Sequence, residues 1–281
     1  MTPLLSRRFA LGTALSLALQ GTACIHVQNQ VDPEGPRHGG SPQEPIPPAD
    51  RHAPDLLVAS FNVEHGQEIE RALEVIESDP GLRQAEVLLL QEMDAEGTEE
   101  VAHALGMEWV YYPATIRNGR EFGNAVLSRW PIVGDEKLIL PHLALYGRTQ
   151  RTATVATLDV GGTHVRAYSV HLATPVNQLL EARKQQMDAV IADAADHPHV
   201  IIGGDMNSNS LPELARDAGY LWPTREGPRT AWFARVDHIL FKGLVPPWSG
   251  HSGTAEDTRG ASDHLPVWAL GRILVDSEQN P

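Results

Sequence analysis

The chain has 281 residues, an ordinary content of hydrophobic (42%) and charged (21%) residues, and a formal net charge of −14 at pH 7. This length is enough for one large domain with a substantial core. The negative charge argues against a protein that binds nucleic acid mainly through a basic surface, because such binding depends on neutralising phosphates with Lys and Arg. It does not exclude an enzyme that meets a phosphate through metal ions.

The N-terminus has the parts of an export signal. Arg7 and Arg8 precede a short, mostly apolar run, and small residues lead from that run to Cys24. The apolar run is too short to span a bilayer. The arrangement resembles a bacterial lipoprotein signal covering residues 1–23, with Cys24 as the site of lipid attachment, although Gly21 stands where such signals usually carry an aliphatic residue. The resemblance implies an extracytoplasmic protein, held by its lipid in the bacterial periplasm or cell envelope.

Two other interpretations of this N-terminus stay open. The segment is then either a plain cleaved signal peptide with an incidental cysteine, or the apolar start of a cytosolic protein. The arginine pair also resembles a twin-arginine export signal, although Ala10 stands where Phe would strengthen that likeness. Since Cys24 is the only cysteine, an intrachain disulfide is excluded in each case.

Residues 25–54 are rich in Pro, with Gly, Gln, Glu and His between the prolines. Such a composition buries too little apolar surface to offset the entropy lost on ordering. It predicts a disordered linker. Behind a lipid anchor, this linker would hold a soluble domain away from the membrane surface.

The pattern of a folded domain begins at residue 55 and is predicted to cover 55–272, followed by a short tail, 273–281. Apolar runs typical of buried strands alternate with segments of helical periodicity. Several strands follow one another too closely to be parallel, which predicts mixed sheets with helices outside them. The predicted strands are 56–63, 87–90, 109–113, 125–127, 151–160, 163–172, 200–204, 234–241 and 266–270, and the predicted helices are 69–78, 99–105 and 179–195.

Polar residues able to bind a metal or move a proton lie beside these predicted strands. Carboxylate and amide oxygens suit Mg²⁺, Mn²⁺ or Ca²⁺ rather than a soft metal. Such a cation neutralises charge that builds up on phosphoryl oxygens and can orient or acidify a water molecule. The residue types therefore indicate hydrolysis of a phosphate ester. In chain order they are Asn62, Glu92, Asn124, His171, Asp205 with Asn207, Asp237 with His238, and Asp263 with His264.

His171 and His264 have the chemistry of a proton carrier. A histidine held by a carboxylate donates to a phosphate or transfers a proton near neutral pH. Asp237 is a plausible partner that would orient His264. His238 points to the opposite face of the same predicted strand, so we expect it to be structural.

The ordered set of residues resembles the endonuclease/exonuclease/phosphatase superfamily, which includes pancreatic-type deoxyribonucleases, abasic-site endonucleases, inositol polyphosphate 5-phosphatases and bacterial sphingomyelinases. The likeness runs from about residue 56 to about residue 270. It implies a deoxyribonuclease I-like, four-layer α/β sandwich of two packed mixed β-sheets flanked by helices, with the site at their shared edge. The chain departs from the pattern at 112–115, where a deoxyribonuclease-like enzyme would supply a glutamate to hold His171.

The resemblance also implies which residues hold the metal. Glu92 would be the principal ligand, and Asn62 and Asp263 would help directly or through water. Asn124 would be a supporting polar residue near the site. The ion would be Mg²⁺, or Mn²⁺ or Ca²⁺ in its place.

The resemblance implies catalytic roles for five residues. Asp205 would position or deprotonate the attacking water, and Asn207 would donate a hydrogen bond to a phosphate oxygen. His264, oriented by Asp237, would contact the scissile phosphate or act as general base, and both roles stay open. His171 would donate to the phosphate or assist the leaving group.

The sequence therefore predicts a divalent-metal-dependent hydrolase of phosphate esters that acts by metal-assisted in-line attack of water. An acidic domain without a basic patch has little with which to hold a duplex, so the favoured substrate is a lipid headgroup or a small phosphoester. A non-specific nuclease is the alternative, and a non-catalytic binding protein of the same fold comes third.

Arg148 and Arg151 have two interpretations, as residues that hold a substrate phosphate or as ordinary surface or ion-pair residues. We expect a monomer that meets the membrane through its lipid anchor.

Overall fold

The computed structural model describes residues 27–47, 55–247 and 251–274. The predicted export signal, 1–23, and Cys24 lie outside these residues, as does most of the predicted tail. Within the described ranges, none of the helices is long and apolar enough to cross a membrane.

The described residues alternate between strands and helices. The strands are β1 (Val27–Asn29), β2 (His38–Gly40), β3 (Asp55–Asn62), β4 (Val87–Met93), β5 (Glu108–Arg117), β6 (Arg120–Ser128), β7 (Ile132–Ile139), β8 (Thr152–Val160), β9 (Thr163–His171), β10 (Val200–Asp205), β11 (Asp237–Lys242), β12 (Leu244–Val245), β13 (Ser252–Thr254) and β14 (Val267–Ile273). The helices are α1 (Ile69–Ser78), α2 (Pro80–Arg83), α3 (Ala95–Leu105), α4 (Leu180–Asp193) and α5 (Pro212–Asp217).

Two mixed sheets pack face to face. The larger has the order β1-β5-β6-β4-β3-β14-β12, with β2 also beside β5 and β13 beside β14, and the smaller has the order β11-β10-β9-β8-β7. An apolar layer that includes Val58, Leu89, Ala167 and Ile201 fills the space between them. Residues of α1 to α3 join the core on the outer face of the larger sheet, and residues of α4 and α5 join the core on the outer face of the smaller one. The predicted four-layer α/β sandwich is confirmed.

Parallel pairing occurs once in each sheet and sets the position of the strand ends. β3 pairs in parallel with β4, and β9 pairs in parallel with β10. Helix α1 lies on the connection between the first two strands and α4 on the connection between the other two. The carboxyl ends of parallel neighbours reach the same edge of a sheet, so each sheet brings two strand ends together.

The prediction of a disordered linker is wrong for residues 27–47. Strands β1 and β2 in this segment pair antiparallel with β5. Lys137 donates hydrogen bonds to three carbonyl oxygens of the segment, and Arg37 forms a bidentate ion pair with Asp135 at 2.6 and 2.7 Å. The segment is ordered by backbone pairing with an existing strand and by these polar contacts, which its composition does not reveal.

Other differences from the prediction are small. The predicted helix 69–78 ends at Ser78 as expected, and a short helix that was not predicted, α2, follows it, because Asp79 accepts hydrogen bonds from the first amides of that helix. Ile273 belongs to β14 and is 2% exposed, so the domain extends past residue 272. Strand β11 begins at Asp237 rather than at 234. Strand β7 was missed because, at the edge of the smaller sheet, it mixes charged and apolar residues without a clear period.

Glu86, which precedes β4, provides a test of the packing. Burial raises the pKa of its carboxyl group from 4.5 to about 7. Between these values the folded state binds more protons than the unfolded state, so the free energy of unfolding falls as the pH rises through this range. This loss in the free energy of unfolding is absent below pH 4.5 and complete above about pH 7.

We therefore expect Glu86→Gln to raise the melting temperature at pH 8 and to change it less at pH 4. Thermal unfolding followed by circular dichroism at both pH values measures this. An equal shift at the two pH values would contradict the assigned cause.

Candidate active site

Side chains at the ends of neighbouring strands meet at one edge of the sandwich. The amide nitrogen of Asn62, at the end of β3, lies 3.1 Å from the Glu92 carboxylate and 3.2 Å from that of Asp205. Asn62 belongs to the larger sheet and Asp205 to the smaller, so this amide joins the two sheets. The strand ends that supply the site are those of β3, β4, β9 and β10, together with the first residue of β11 and the loop before β14.

Asp205 is the centre of the cluster. Its carboxylate is 2% exposed and accepts hydrogen bonds from the backbone and side-chain amides of Asn207, at 2.8 and 3.1 Å. Nε2 of His171 lies 3.3 Å away and Nε2 of His264 lies 3.9 Å away. Burial and the neighbouring Asp237 raise the pKa of the Asp205 carboxyl group. A carboxyl group with a raised pKa is suited to accept a proton near neutral pH.

His264 is held by Asp237, as predicted. Nδ1 of His264 lies 2.9 Å from Oδ2 of Asp237, which is 1% exposed. Burial alone would lower the pKa of His264, but Asp237 and Asp205 raise it to about 10. The Ser262 hydroxyl accepts from the His264 amide at 3.0 Å and donates to the Asn62 carbonyl at 2.6 Å, which fixes the loop on β3.

His171 has different surroundings. It is 3% exposed, and its Nδ1 has no hydrogen-bond partner among the described residues. That atom lies 3.9 Å from the Glu92 carboxylate. Burial, followed by the charge of Arg151, holds the pKa of His171 well below its usual range, so this imidazole is neutral. In place of the glutamate that 112–115 lack, the carboxylates near His171 are those of Asp205 and Glu92.

Glu92 is aimed into the site by an irregularity in β4. The register between β4 and β6 shifts at this residue, and Glu92 has φ +61°, a conformation that is uncommon outside glycine. Bulges of this kind redirect side chains and are common beside active sites. The Glu92 carboxylate also accepts from the His65 amide at 3.2 Å.

The donor set fits a hard divalent cation. Glu92 is 16% exposed, and Asn62 holds its carboxylate by donating from the side-chain nitrogen, while the Asn62 side-chain oxygen accepts from the Glu64 amide at 3.1 Å. Asp205, Asp237 and His264 also have ligand atoms within 4.8 Å of one another. In that second group, however, the His264 imidazole and the Asp237 carboxylate already bind each other. The Glu92 side is therefore the better position for an ion.

Two of the residues expected at the site are placed differently from the others. Asp263 is 59% exposed and lies 3.9 Å from Nε2 of His264, at the rim. The side chain of Asn124 donates to the carbonyl oxygen of Thr152 at 2.7 Å, and its backbone carbonyl accepts from Thr154. Asn124 therefore supports the site by joining β6 to β8.

Asn207 also differs from the role that the resemblance implied. Its side-chain nitrogen donates to the Leu172 carbonyl at 3.0 Å as well as to Asp205. With both amide protons engaged, Asn207 positions Asp205. His238 lies away from the cluster and binds the Ser208 carbonyl at 2.9 Å, in agreement with the structural role expected for it.

Sequence reasoning missed several residues that shape the site. Arg183, on α4, donates to the Asn207 carbonyl at 2.5 Å, and a charged residue at a core position of this helix was the available signal. Gln91 joins the two sheets by donating to Ser169 at 3.0 Å, but nothing in its sequence context indicates this. Arg117 and Phe122 lie beside the site on β5 and β6.

The chain is similar to known proteins across most of its length. A model of the Endonuclease/Exonuclease/phosphatase family matches residues 59–264. A search of curated proteins gave no significant match. Among solved structures, the endonuclease/exonuclease/phosphatase from Beutenbergia cavernae has 20% identity and a TM-score of 0.64, with 78% of this chain and 72% of that chain covered.

Two solved structures of D. rerio TDP2 are also similar. A version humanized by 14 mutations has 19% identity and a TM-score of 0.61, covering 78% of this chain and 99% of that chain. The protein complexed with a single strand DNA product has 18% identity and a TM-score of 0.59, covering 77% and 98%. At these identities the likeness shows a common fold.

The Ser262 hydroxyl allows a test of how the His264 loop is held. Ser262→Ala would leave the His264 amide without its acceptor, and we expect the free energy of unfolding to fall by about 1–3 kcal/mol. Urea denaturation measures this. Ser210→Ala, at an exposed position, is the control and should change stability by less than about 0.5 kcal/mol. Equal effects of the two substitutions would mean that the Ser262 contacts do not hold the loop.

Proposed function

The chain belongs to the endonuclease/exonuclease/phosphatase family, and we propose on that premise that it is a divalent-metal-dependent hydrolase of phosphate esters. One observation carries the proposal. Asp205 lies close to His264, which is bound to Asp237, and Asn62 connects Asp205 to the Glu92 carboxylate. A proton acceptor, a cationic donor and a hard-metal ligand lie within one small site, as in-line attack of water on a phosphate requires.

Each residue has a task in this proposal. Glu92 would hold the cation, with Asp263 helping from the rim directly or through water, and Asn62 keeps the Glu92 carboxylate in place through its side-chain nitrogen. When bound, the cation supplies neutralisation of charge on the phosphoryl oxygens. Asp205 orients the attacking water and accepts its proton. The raised pKa of Asp205 suits it to this role better than His264.

The two imidazoles have different tasks. His264 has a raised pKa and is held by Asp237, so it donates as an imidazolium from Nε2 to a phosphate oxygen. His171 is neutral and lies between Asp205 and Glu92, so it donates a hydrogen bond without adding charge. Asn207 keeps the Asp205 carboxylate in place.

Exposed apolar side chains near the site support a lipid substrate. Tyr146 is 70% exposed and Val176 is 75% exposed, in two loops joined by a hydrogen bond from Leu145 to Asn177 beside the site. Trp232 is 82% exposed in a further loop, whose Thr230 carbonyl accepts a hydrogen bond from the amide of Leu265, the residue after His264. Exposed apolar residues in loops around a site fit a membrane surface. A lipid anchor at Cys24, in the periplasm or cell envelope, is part of this proposal.

A nuclease is the second candidate. D. rerio TDP2, which shares the fold, has been solved with a single strand DNA product. The charge of −14 does not favour a DNA-binding surface, although a metal ion and a few arginines are enough to hold a short strand.

Hydrolysis tests the central proposal. The purified protein should hydrolyse bis-p-nitrophenyl phosphate with Mg²⁺ or Mn²⁺ and stop when EDTA is added. His264→Ala and Asp205→Asn should each lower kcat about 10²- to 10⁴-fold, because each removes a proton-handling group. His164→Ala, at an exposed position on β9, is the control. A variant that keeps the wild-type rate would disprove the role of that residue, and no hydrolysis with any metal would favour a binding protein.

Substrate class is decided by a direct comparison. We expect faster turnover of anionic phospholipid vesicles than of single-stranded or plasmid DNA at equal phosphate concentration. Trp232→Ser should lower the rate on vesicles about tenfold, since it removes a large exposed apolar group that would contact the membrane in this proposal. Preferred cleavage of DNA, with no effect of Trp232→Ser on vesicle hydrolysis, would favour the nuclease.

A further inference from the structure

A cavity opens directly beside the Glu92 carboxylate. Its volume is about 150 Å³, and its lining is mostly polar. Apart from Glu92, none of the residues given a role above lines it. The residues that line it include Thr115, Arg117, Phe122, Gln150, Arg151 and Asn177.

Two guanidinium groups lie in this cavity without a carboxylate partner. Those of Arg117 and Arg151 are 5.6 and 5.8 Å from the ring centre of Phe122. Elsewhere in the described residues, arginines such as Arg37 and Arg166 form close ion pairs. Arg117 and Arg151 form none there. Glu92 and Asp205 attract the Arg151 guanidinium from a longer distance, whereas burial and the charge of Arg117 oppose its positive charge. An anion bound in this cavity would supply both guanidinium groups with a close partner of opposite charge.

Thr115 adds an unpaired donor to the same cavity. It is 1% exposed, and its hydroxyl has no hydrogen-bond partner among the described residues. An unsatisfied hydroxyl at such a position is costly, and an anion bound in the cavity would supply the missing acceptor. The side-chain amide of Gln150, in contrast, already donates to the Leu140 and Arg151 carbonyls.

We propose that Arg117, Arg151 and Thr115 bind a second phosphate of the substrate, next to the phosphate that is hydrolysed. The planar guanidinium group matches phosphate oxygens with paired hydrogen bonds, and the Thr115 hydroxyl would donate a further one. The inference rests on the proposed function, because Glu92 borders both the cavity and the site of hydrolysis.

A second phosphate site restricts the substrates to phosphate esters that carry at least two phosphates. The second phosphate must lie within a few bonds of the scissile one, since the cavity and the site share Glu92. A headgroup with two phosphates, or an oligonucleotide, meets this condition. A cationic headgroup would be repelled by the arginine pair.

The test compares two ligands that differ by one phosphate. Propane-1,3-diol bisphosphate and propyl phosphate are titrated into the purified protein with Mg²⁺ by isothermal calorimetry. We expect the bisphosphate to bind at least about tenfold more tightly. Arg151→Gln and Arg117→Gln should each reduce this ratio to about two, the advantage of having two equivalent ends. Arg148→Gln, an exposed arginine in the preceding loop, should keep the full ratio.

Thr115→Val guards against a folding defect in the arginine variants. It removes only the hydroxyl, and we expect it to lower the ratio about two- to fivefold while circular dichroism remains native. A wild-type ratio near two, or a full ratio in both Thr115→Val and Arg117→Gln, would overturn the inference. Every protein compared in the calorimeter also carries Asp205→Asn, so that hydrolysis adds little to the heat of binding. A preference for the bisphosphate in a protein that hydrolyses no phosphate ester would contradict only the proposed function. Hydrolysis without that preference would contradict only the second phosphate site.

Discussion

Parallel pairing of β3 with β4 and of β9 with β10 is the constraint on which the site depends. Each pair brings two carboxyl ends to one edge of its sheet. The apolar layer between the sheets holds those two edges together. The antiparallel neighbours β11 and β14 begin at the same edge, so Asp237 and the loop with His264 arrive there as well.

The same convergence places buried polar groups close together, and hydrogen bonds between distant segments keep them in position. Asn62 links Glu92 to Asp205 across the two sheets, and Ser262 ties the His264 loop to β3. Beneath them, Gln91 donates to Ser169 in the smaller sheet. A buried polar group needs such partners, since an unpaired one costs free energy. Among the buried side-chain atoms of the described residues that have no hydrogen-bond partner, Nδ1 of His171 and Oδ1 of Asp237 belong to the site itself.

The electrostatics divide the site into two halves. His264 sits among carboxylates, which raise its pKa, whereas burial and the neighbouring Arg151 lower the pKa of His171. Two imidazoles in different protonation states allow one site to supply a cationic and a neutral donor. Arg117 and Arg151, beside Phe122, lie on the His171 side of the site and make it suited to anions, although the chain as a whole is acidic.

The sequence by itself determined the layered fold and the main members of the site. Each of Asn62, Glu92, His171 and Asp205 follows an apolar run long enough to be a buried strand, and the order of these runs carries the family resemblance. The pairing of His264 with Asp237 followed from the same reasoning. Only the tertiary structure decided the ordering of residues 27–47, the exposed position of Asp263, the engaged amide of Asn207 and the cavity with Arg117 and Arg151. These features depend on strand register and on neighbours far away in the chain, whereas composition and periodicity report only what a segment does with its own residues.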